Sequence, residues 1–252
     1  MTNANVFLSN QRAPEHLGQT VVVIGGSAGI GLETARRARA EGATLILTGP
    51  DPGRLQRAAA ELGARRTATF DANDPAELQS FFENVPAPID HVTVTTGAPH
   101  YGPPFGMSPE EARRGLTEHL LLALEVARHA AGKVRPTGSL VFMGGTGGRH
   151  PRAGLATAST ATAAFPALIG NLALELAPIR VNLIAAGFVD TPLSARLLGE
   201  DLDKRRDELR ATLPIRRVVG PADVAALAVH IMGNTALTGA TYDIDGGQQL
   251  LS

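Results

Sequence analysis

Short runs of β-branched residues alternate with segments of helical periodicity from about residue 19 to the end of the chain. The first run, Thr20 to Ile24, is stopped by glycines, and apolar residues then recur at helical spacing from Leu32 to Ala40. Strands that alternate with helices lie parallel, because each helix returns the chain to the edge where the previous strand began. The alternation predicts an α/β fold, with a doubly wound parallel sheet covered by helices on both faces.

The remaining elements follow the same order, and no repeat or linker divides the chain. Further strands are predicted at residues 43–48, 67–70, 91–95, 139–143, 181–184 and 241–244. Further helices are predicted at residues 53–62, 75–84, 110–131, 157–177 and 221–232. The charged stretch 187–213 is less regular and is interpreted either as a mobile lid or as a pair of solvated surface helices. We predict a single domain at residues 19–252 after a polar leader at residues 1–18.

Composition narrows the class of protein. With 252 residues, 44% of them hydrophobic and 19% charged, the chain is globular in character. A formal charge of -1 without a basic run argues against a nucleic-acid partner, and no apolar run reaches the ~18 to 20 residues of a membrane span. The absence of cysteine excludes disulfides and cysteine-based zinc sites, and the N-terminus does not read as a secretory signal. We expect a cytoplasmic protein with no metal site.

A glycine-rich loop, GGSAGIG at residues 25–31, separates the first predicted strand from the first predicted helix. In this place backbone N–H groups and the helix N-terminus can face a pyrophosphate, and a Cβ would hold the phosphate away from the backbone. The spacing is GxxxGxG, which differs from the commoner GxGxxG pattern. Taken alone, the loop is equally consistent with an ordinary glycine-rich turn.

Further motifs accompany the loop, in order along the chain. They are LE at residues 32–33, DA at 71–72, LELAPIRVN at 174–182, GFVDTP at 187–192, LTG at 237–239 and DIDGG at 243–247. From about Gln19 onward, the chain carrying these motifs resembles the short-chain dehydrogenase/reductase family. That resemblance implies a Rossmann fold, an NAD(P) cofactor, a small-molecule substrate or ligand, oxidoreductase activity and assembly into homodimers or homotetramers.

The resemblance also assigns cofactor-binding residues. It implies that Gly25, Gly29 and Gly31 cradle the pyrophosphate, that Asp71 holds the adenine amino group and that residues 187–191 hold the nicotinamide carboxamide. The full set of expected cofactor residues is Gly25, Ser27, Gly29, Ile30, Gly31, Asp51, Asp71, Ala72, Gly97, Gly187, Val189 and Thr191.

The choice between NAD and NADP rests on the turn after the second strand, TGPD at residues 48–51. This turn has neither the acidic residue usual at the strand end for NAD nor the arginine that often follows for NADP. Asp51 can reach a ribose hydroxyl and would repel a 2′-phosphate, whereas Arg54 nearby favours the opposite choice. The sequence leaves both cofactors open, with a slight preference for NAD.

The family reduces carbonyls with a tyrosine and a lysine four residues apart, and a serine about thirteen residues before the tyrosine. This chain has only two tyrosines and two lysines, and no lysine stands four or seven residues after a tyrosine. Alignment from residues 175 and 182 places Ala158 at the tyrosine position, Thr162 at the lysine position and Gly145 at the serine position. The asparagine that often assists falls on His119. The sequence therefore predicts a divergent member without the usual Ser, Tyr and Lys.

Tyr101 and His119 are the candidate replacements, because a histidine and a tyrosine on a proline-rich loop can form an acid/base pair. Alternatively, His119 bonds to backbone and Tyr101 covers apolar surface. Three functions stay open: a divergent NAD(P)-dependent oxidoreductase with weak carbonyl reduction, a catalytically inactive dinucleotide- or ligand-binding protein or partner subunit, and a non-redox enzyme on the same fold.

Overall fold

A computed structural model describes residues 15–97, 99–149 and 152–251. These residues form a seven-stranded parallel sheet in the order β3-β2-β1-β4-β5-β6-β7. The strands are β1 Thr20–Ile24, β2 Thr44–Gly49, β3 Arg66–Thr69, β4 Ile89–Val94, β5 Val134–Gly145, β6 Arg180–Ala186 and β7 Thr241–Ile244. The helices are α1 Gly29–Ala40, α2 Pro52–Leu62, α3 Pro75–Asn84, α4 Pro109–Ala130, α5 Ala156–Glu175, α6 Pro192–Leu198, α7 Leu202–Thr212 and α8 Pro221–Gly233.

The core forms two layers, one on each face of the sheet. Along β1, Val22 and Ile24 pack with apolar residues of α3, α4 and α5, whereas Val21 and Val23 pack with residues of α1, α2 and α8. Successive side chains of a strand point to opposite faces, so a strand buried on both sides is apolar throughout. This arrangement confirms the predicted doubly wound α/β fold.

The order of the strands places a crevice at one edge of the sheet. The chain runs outward from β1 to β3 and then returns to β4 on the other side of β1. Helices therefore leave the carboxyl ends of β1 and β4 in opposite directions, and ligands bind in the gap between them in folds of this type. The glycine loop follows β1, which brings it to this gap.

The stretch 187–213 folds into the two helices α6 and α7. Thr191 caps α6, since its hydroxyl accepts a hydrogen bond from the Ser194 N–H at 3.3 Å, and its own N–H donates to the Ser194 hydroxyl at 2.8 Å. Of the two interpretations of this stretch, the structure has the helix pair. Residues of both helices line a cavity beside the sheet, among them Leu193 and Arg205.

The first fourteen residues of the predicted leader lie outside the described residues, whereas residues 15–18 pack against the domain. His16 is fully buried, with Nδ1 2.6 Å from the Gln19 side-chain oxygen and Nε2 3.3 Å from the Val229 carbonyl oxygen. This contact ties the segment before β1 to α8. Among the helices of the described ranges, none has the length and apolar character needed to cross a membrane.

Candidate functional site

The two ends of the glycine loop pack directly against each other through their backbones. A Cβ on Gly31 would collide with the Gly25 carbonyl oxygen, and Gly25 has a φ of +92°. The Thr95 hydroxyl, at the end of β4, donates to the carbonyl oxygens of Ile24 at 3.1 Å and Gly25 at 3.3 Å. Glycine is therefore required here because any side chain would push the loop away from α1.

The N-terminus of α1 has no side-chain cap. Ala28 occupies the N-cap position, where it offers no oxygen to the first N–H groups of the helix. The first turn of a helix leaves such donors without intrahelical partners, and they carry the positive end of the helix dipole. Gly29 lies beside Thr191, with the site of an added Cβ 3.5 Å from the Thr191 Cβ. The loop thus presents free donors next to residues 187–191.

Asp51 is engaged by its own helix. One carboxylate oxygen accepts a hydrogen bond from the Arg54 N–H at 2.8 Å, and the other lies 3.2 Å from the Arg54 guanidinium. The bond from the Arg54 backbone, with help from the charges of Arg54 and Arg57, lowers the pKa of Asp51. The expected preference for NAD assumed a carboxylate that holds a ribose hydroxyl, and here the carboxylate caps α2 and pairs with a cation.

Asp71 and Ala72 follow β3 at the same edge of the sheet. The Asp71 carboxylate is exposed and accepts a hydrogen bond from the Asn73 N–H at 3.0 Å. Its backbone N–H donates to Glu77 at 3.0 Å, and Ala72 is buried in the core. These contacts hold the turn, and the Asp71 carboxylate lies at its surface.

A cavity of about 450 Å³ lies beyond the carboxyl ends of β4, β5 and β6. It brings together residues that the sequence assigned separately to the cofactor and to catalysis: Ile30, Gly97, Gly187, Val189, Thr191, Tyr101 and His119. The other expected cofactor residues do not line this cavity: Gly25, Ser27, Gly29, Gly31, Asp51, Asp71 and Ala72. Apolar side chains of α5, of its N-cap residue and of α6 make up much of the remaining wall: Leu155, Phe165, Leu193, Leu197 and Leu198.

Gly145, Ala158 and Thr162 also line the cavity. The Thr162 hydroxyl donates to backbone carbonyls within α5, including that of Ala158. The neighbouring Ser159 hydroxyl donates to the Gly147 carbonyl at 2.9 Å. The side chains in this part of the wall are therefore small. The two hydroxyls among them already donate their protons to backbone carbonyls.

The two candidate acid/base residues lie in the cavity wall in different environments. The His119 ring packs against Gly97, where φ is +106° and a Cβ would collide with the ring. Burial lowers the pKa of His119 below its usual 6.5, and the opposing effect of Glu118 is smaller. Tyr101 keeps 56% of its surface exposed, and partial desolvation raises its pKa above 10. Near neutral pH His119 is thus uncharged, and the Tyr101 phenol holds its proton.

A histidine and carboxylate pair in the same wall was not found from the sequence. His100 Nε2 lies 3.1 Å from the Glu118 carboxylate, across 18 residues of chain. His100 is on the loop after β4 and Glu118 is on α4, so no sequence spacing relates the two residues. Only the packing of this loop on α4 brings them together.

The loop at residues 187–191 is held from two sides. Arg206 of α7 binds both carboxylate oxygens of Asp190, at 2.7 Å and 2.9 Å. The Phe188 N–H donates to the side-chain oxygen of Gln248, near the C-terminus, at 2.9 Å. Neither partner was identified from the sequence, because both contacts join distant segments. They fix the backbone that the resemblance assigns to the nicotinamide carboxamide.

Comparison with known proteins agrees with this architecture. The model of a family described as Enoyl-(Acyl carrier protein) reductase matches residues 24–249. Short-chain dehydrogenase/reductase ATR9 of Stachybotrys chlorohalonatus is 29% identical in an alignment of length 257, and the match covers 93% of this chain and 98% of that protein. L-fucose dehydrogenase of Rattus norvegicus is 30% identical in an alignment of length 247, and the match covers 92% of this chain and 90% of that protein.

Among solved structures, a small-chain dehydrogenase in complex with NADPH superposes with a TM-score of 0.78 and 26% identity. The match covers 92% of this chain and 99% of that one. The expected preference for NAD finds no support here, in agreement with the pairing of Asp51 with Arg54. The match of a family model to residues 24–249, together with these relatives, shows that the chain belongs to the short-chain dehydrogenase/reductase family.

Proposed function

We propose that the protein is an NADP(H)-dependent oxidoreductase of divergent type that acts on apolar carbonyl compounds. Gly145, Ala158 and Thr162 stand in this proposal where the family has its serine, tyrosine and lysine. The observation that carries it is the cavity, which runs from Ile30 and Thr191 on the cofactor side to apolar residues of α5 and α6. Apolar walls with a few polar groups are typical of a site for a small organic ligand.

The residues present fit a dinucleotide. The uncapped N-terminus of α1 offers N–H donors to a pyrophosphate. The hydroxyl oxygen of Thr96 is buried in the cavity wall and has no hydrogen-bond partner within the described ranges. Because a buried polar group without a partner is costly, this hydroxyl favours a polar ligand beside it.

NADP fits the end of β2 better than NAD does. Asp51 is neutralised by its pairing with Arg54, and Arg57 adds a second positive charge on α2. Two cations beside a paired carboxylate attract a 2′-phosphate. The relative bound to NADPH supports the same choice.

A reduced nicotinamide, when bound, would supply a hydride to the carbonyl carbon. The chain orients the substrate through the apolar wall and keeps water away from it. General acid catalysis typically contributes ~10² to 10⁴-fold, and the small residues at 145, 158 and 162 supply no such acid. With water as the only proton source, we expect slow but measurable reduction of ordinary ketones.

The first test is a thermal-shift titration with NAD, NADH, NADP and NADPH in parallel. At about a hundred times its dissociation constant, a ligand stabilises the fold by ~2.7 kcal/mol, a shift of roughly 5 to 10 °C for a domain of this size. We expect this shift with NADPH and NADP. Equal shifts with NADH, or no shift with any of the four, would refute the assignment.

A matched pair of arginine variants tests the recognition of the 2′-phosphate. Arg54→Ser should weaken NADPH binding by roughly tenfold to a hundredfold, because it removes a charged contact, and should leave NADH binding unchanged. Arg128 forms a comparable pair with Glu125, three residues away on α4, outside the cavity. Arg128→Ser should change neither affinity.

The second candidate function is a binding protein without catalysis. The hydroxyls of Thr162 and Ser159, both in the cavity wall, are already donated to backbone carbonyls, which favours this candidate. In that case the wild-type chain binds NADPH but reduces no carbonyl in a broad panel. The combined change Gly145→Ser, Ala158→Tyr and Thr162→Lys should then create reductase activity, and no gain despite NADPH binding would argue against it.

A further inference from the structure

The cavity wall contains one imidazole that is paired with a carboxylate. His100 lines the cavity, and its Nε2 lies 3.1 Å from Glu118 Oε2, whereas Glu118 itself does not line it. The carboxylate therefore stands behind the ring. Nε2–H donates to it, and Nδ1 has no protein partner among the residues that the structure describes. A histidine oriented from behind by an acidic group is the usual arrangement of a proton-transferring imidazole.

The backbone around His100 is held in place by neighbouring elements. The Thr157 hydroxyl of α5 donates to the His100 carbonyl at 3.0 Å, and Gly102 N–H donates to the Gly154 carbonyl at 2.9 Å. Gly115 of α4 lets Thr157 and His100 approach closely, since an added Cβ would lie 3.0 to 3.2 Å from them. The imidazole is thus positioned by α4, by α5 and by the loop before α5.

The other titratable groups of the wall are less suited to give up a proton. His119, the neighbour of Glu118 on α4, is held neutral by burial, and its ring packs on Gly97. Tyr101 holds its proton, and both lysines of the chain lie outside the cavity wall. Arg152 and Arg205 also line the cavity, but a guanidinium donates hydrogen bonds and does not act as a proton donor. His100 alone combines an orienting carboxylate with a place in the wall.

We propose that His100 is the proton donor of this site, with Glu118 as its positioning residue. The inference rests on the oxidoreductase function proposed above. As a hydride adds to a carbonyl carbon, the π electrons move to the oxygen, and the alkoxide takes a proton from the His100 imidazolium. The neutral ring is reprotonated by water, so the reaction consumes one hydride and one proton for each alcohol formed. Histidine suits this task because its ring can both donate and accept a proton.

Alkylation by 2-bromoacetophenone, an apolar α-haloketone, tests this inference without cofactor or turnover. The Nδ1 lone pair forms the new carbon–nitrogen bond, bromide leaves with its electron pair, and the alkylated ring then loses its Nε2 proton. We expect peptide mass spectrometry to find the label on His100, at least tenfold faster than on His230, which is exposed and outside the cavity. Labelling mainly at His119 or Tyr101, or at His230 with equal rate, would overturn the inference.

A matched pair of carboxylate variants tests the positioning role of Glu118. Glu125 lies 3.5 Å from His129 elsewhere on α4, in a pair of the same type outside the cavity. Glu118→Gln should slow the alkylation of His100 about tenfold, whereas Glu125→Gln should leave it unchanged. Equal rates in both variants would remove Glu118 from the proposal.

Kinetics with NADPH and a panel of aryl ketones and α-diketones test the role in turnover. His100→Gln should lower kcat by roughly 10² to 10⁴-fold, with KM changed by less than about threefold. Free imidazole should restore part of the activity of His100→Ala, and His129→Gln should keep full activity. Circular dichroism of each variant verifies the fold.

The outcomes separate the two proposals. A wild-type chain that binds NADPH and turns over, but keeps full kcat as His100→Gln, overturns the role of His100 alone. A chain that binds NADPH but reduces nothing overturns both the reductase activity and the proton transfer that depends on it. A chain without NADPH binding overturns the cofactor assignment as well.

Discussion

At the scale of single residues, Gly97 joins the end of β4 to the His119 ring. Its φ of +106° is disfavoured for any residue with a Cβ, and an added Cβ would collide with the imidazole. The sequence indicates only that a glycine follows the fourth strand. Its positive φ is one requirement for glycine, and the second is steric and depends on α4, which begins twelve residues later in the chain.

Gly97→Ala and Gly18→Ala separate these two requirements. Gly18 also has a positive φ, of +76°, but an added Cβ has no neighbour within 4 Å. We expect Gly18→Ala to lower the free energy of unfolding by about 1 kcal/mol, from backbone strain alone. Gly97→Ala should lower it by roughly 2 to 4 kcal/mol, since the ring must also move. Urea unfolding measures both, and equal losses would show that the contact with His119 is not tight.

The buried His91 should make the folded protein less stable in acid. The ring lies 2.8 Å from the Ser139 hydroxyl and 3.1 Å from the Gln19 side-chain oxygen. Burial, together with the charges of His16 and Arg180, lowers the pKa of His91 to about 3. The unfolded chain, with a pKa near 6.5, binds the proton first, so the stabilisation is complete above about pH 6.5 and decreases toward pH 3.

Comparison with His91→Gln isolates this effect. Between pH 7.5 and pH 5.0, wild type should lose roughly 2 kcal/mol of unfolding free energy more than the variant does, at ~1.4 kcal/mol for each pH unit below 6.5. His230→Gln, a change at an exposed histidine, should retain the wild-type dependence. Urea unfolding at the two pH values gives the result, and parallel curves for wild type and His91→Gln would contradict it.

At the scale of elements, the sequence located the regular parts of the sheet well. Helix α3 and strands β1 and β7 begin and end at the predicted residues, because the Asp74 cap and the glycines around the strands mark these boundaries. Helix α6 is short and helix α7 is mainly polar, so periodicity did not separate a helix pair from a lid. The pairing of His100 with Glu118 depends on tertiary packing, so the sequence did not predict it. The capping role of Asp51 depends on the geometry of α2 and was not predicted either.

The link between Arg206 and Asp190 is predicted to hold α7 against the loop after β6. Both groups are partly exposed, so we expect Asp190→Asn to change the overall unfolding temperature little. Hydrogen exchange in residues 187–213 should become faster, because the loop and α7 then open independently. Mass spectrometry of exchanged peptides tests this, with residues 20–24 of β1 as the internal reference. Unchanged exchange at 187–213 would mean that other contacts hold the helix pair.

At the scale of the whole molecule, the family resemblance predicts a homodimer or homotetramer. Helix α4 carries exposed apolar side chains consistent with a buried face in an assembly: Leu116, Leu121 and Leu124. Light scattering after size exclusion should give two or four times the chain mass of 26.2 kDa. Leu121→Glu should shift the mass toward the monomer, and a monomeric wild type would contradict the prediction.

The short side chains at Gly145, Ala158 and Thr162 make these positions suitable for directed evolution. These three positions border open volume, so new groups placed there extend into the cavity and displace little packed core. Randomising only these three codons would therefore sample many reactive groups at little cost to the fold. New catalytic groups can therefore be selected at these positions without rebuilding the rest of the protein.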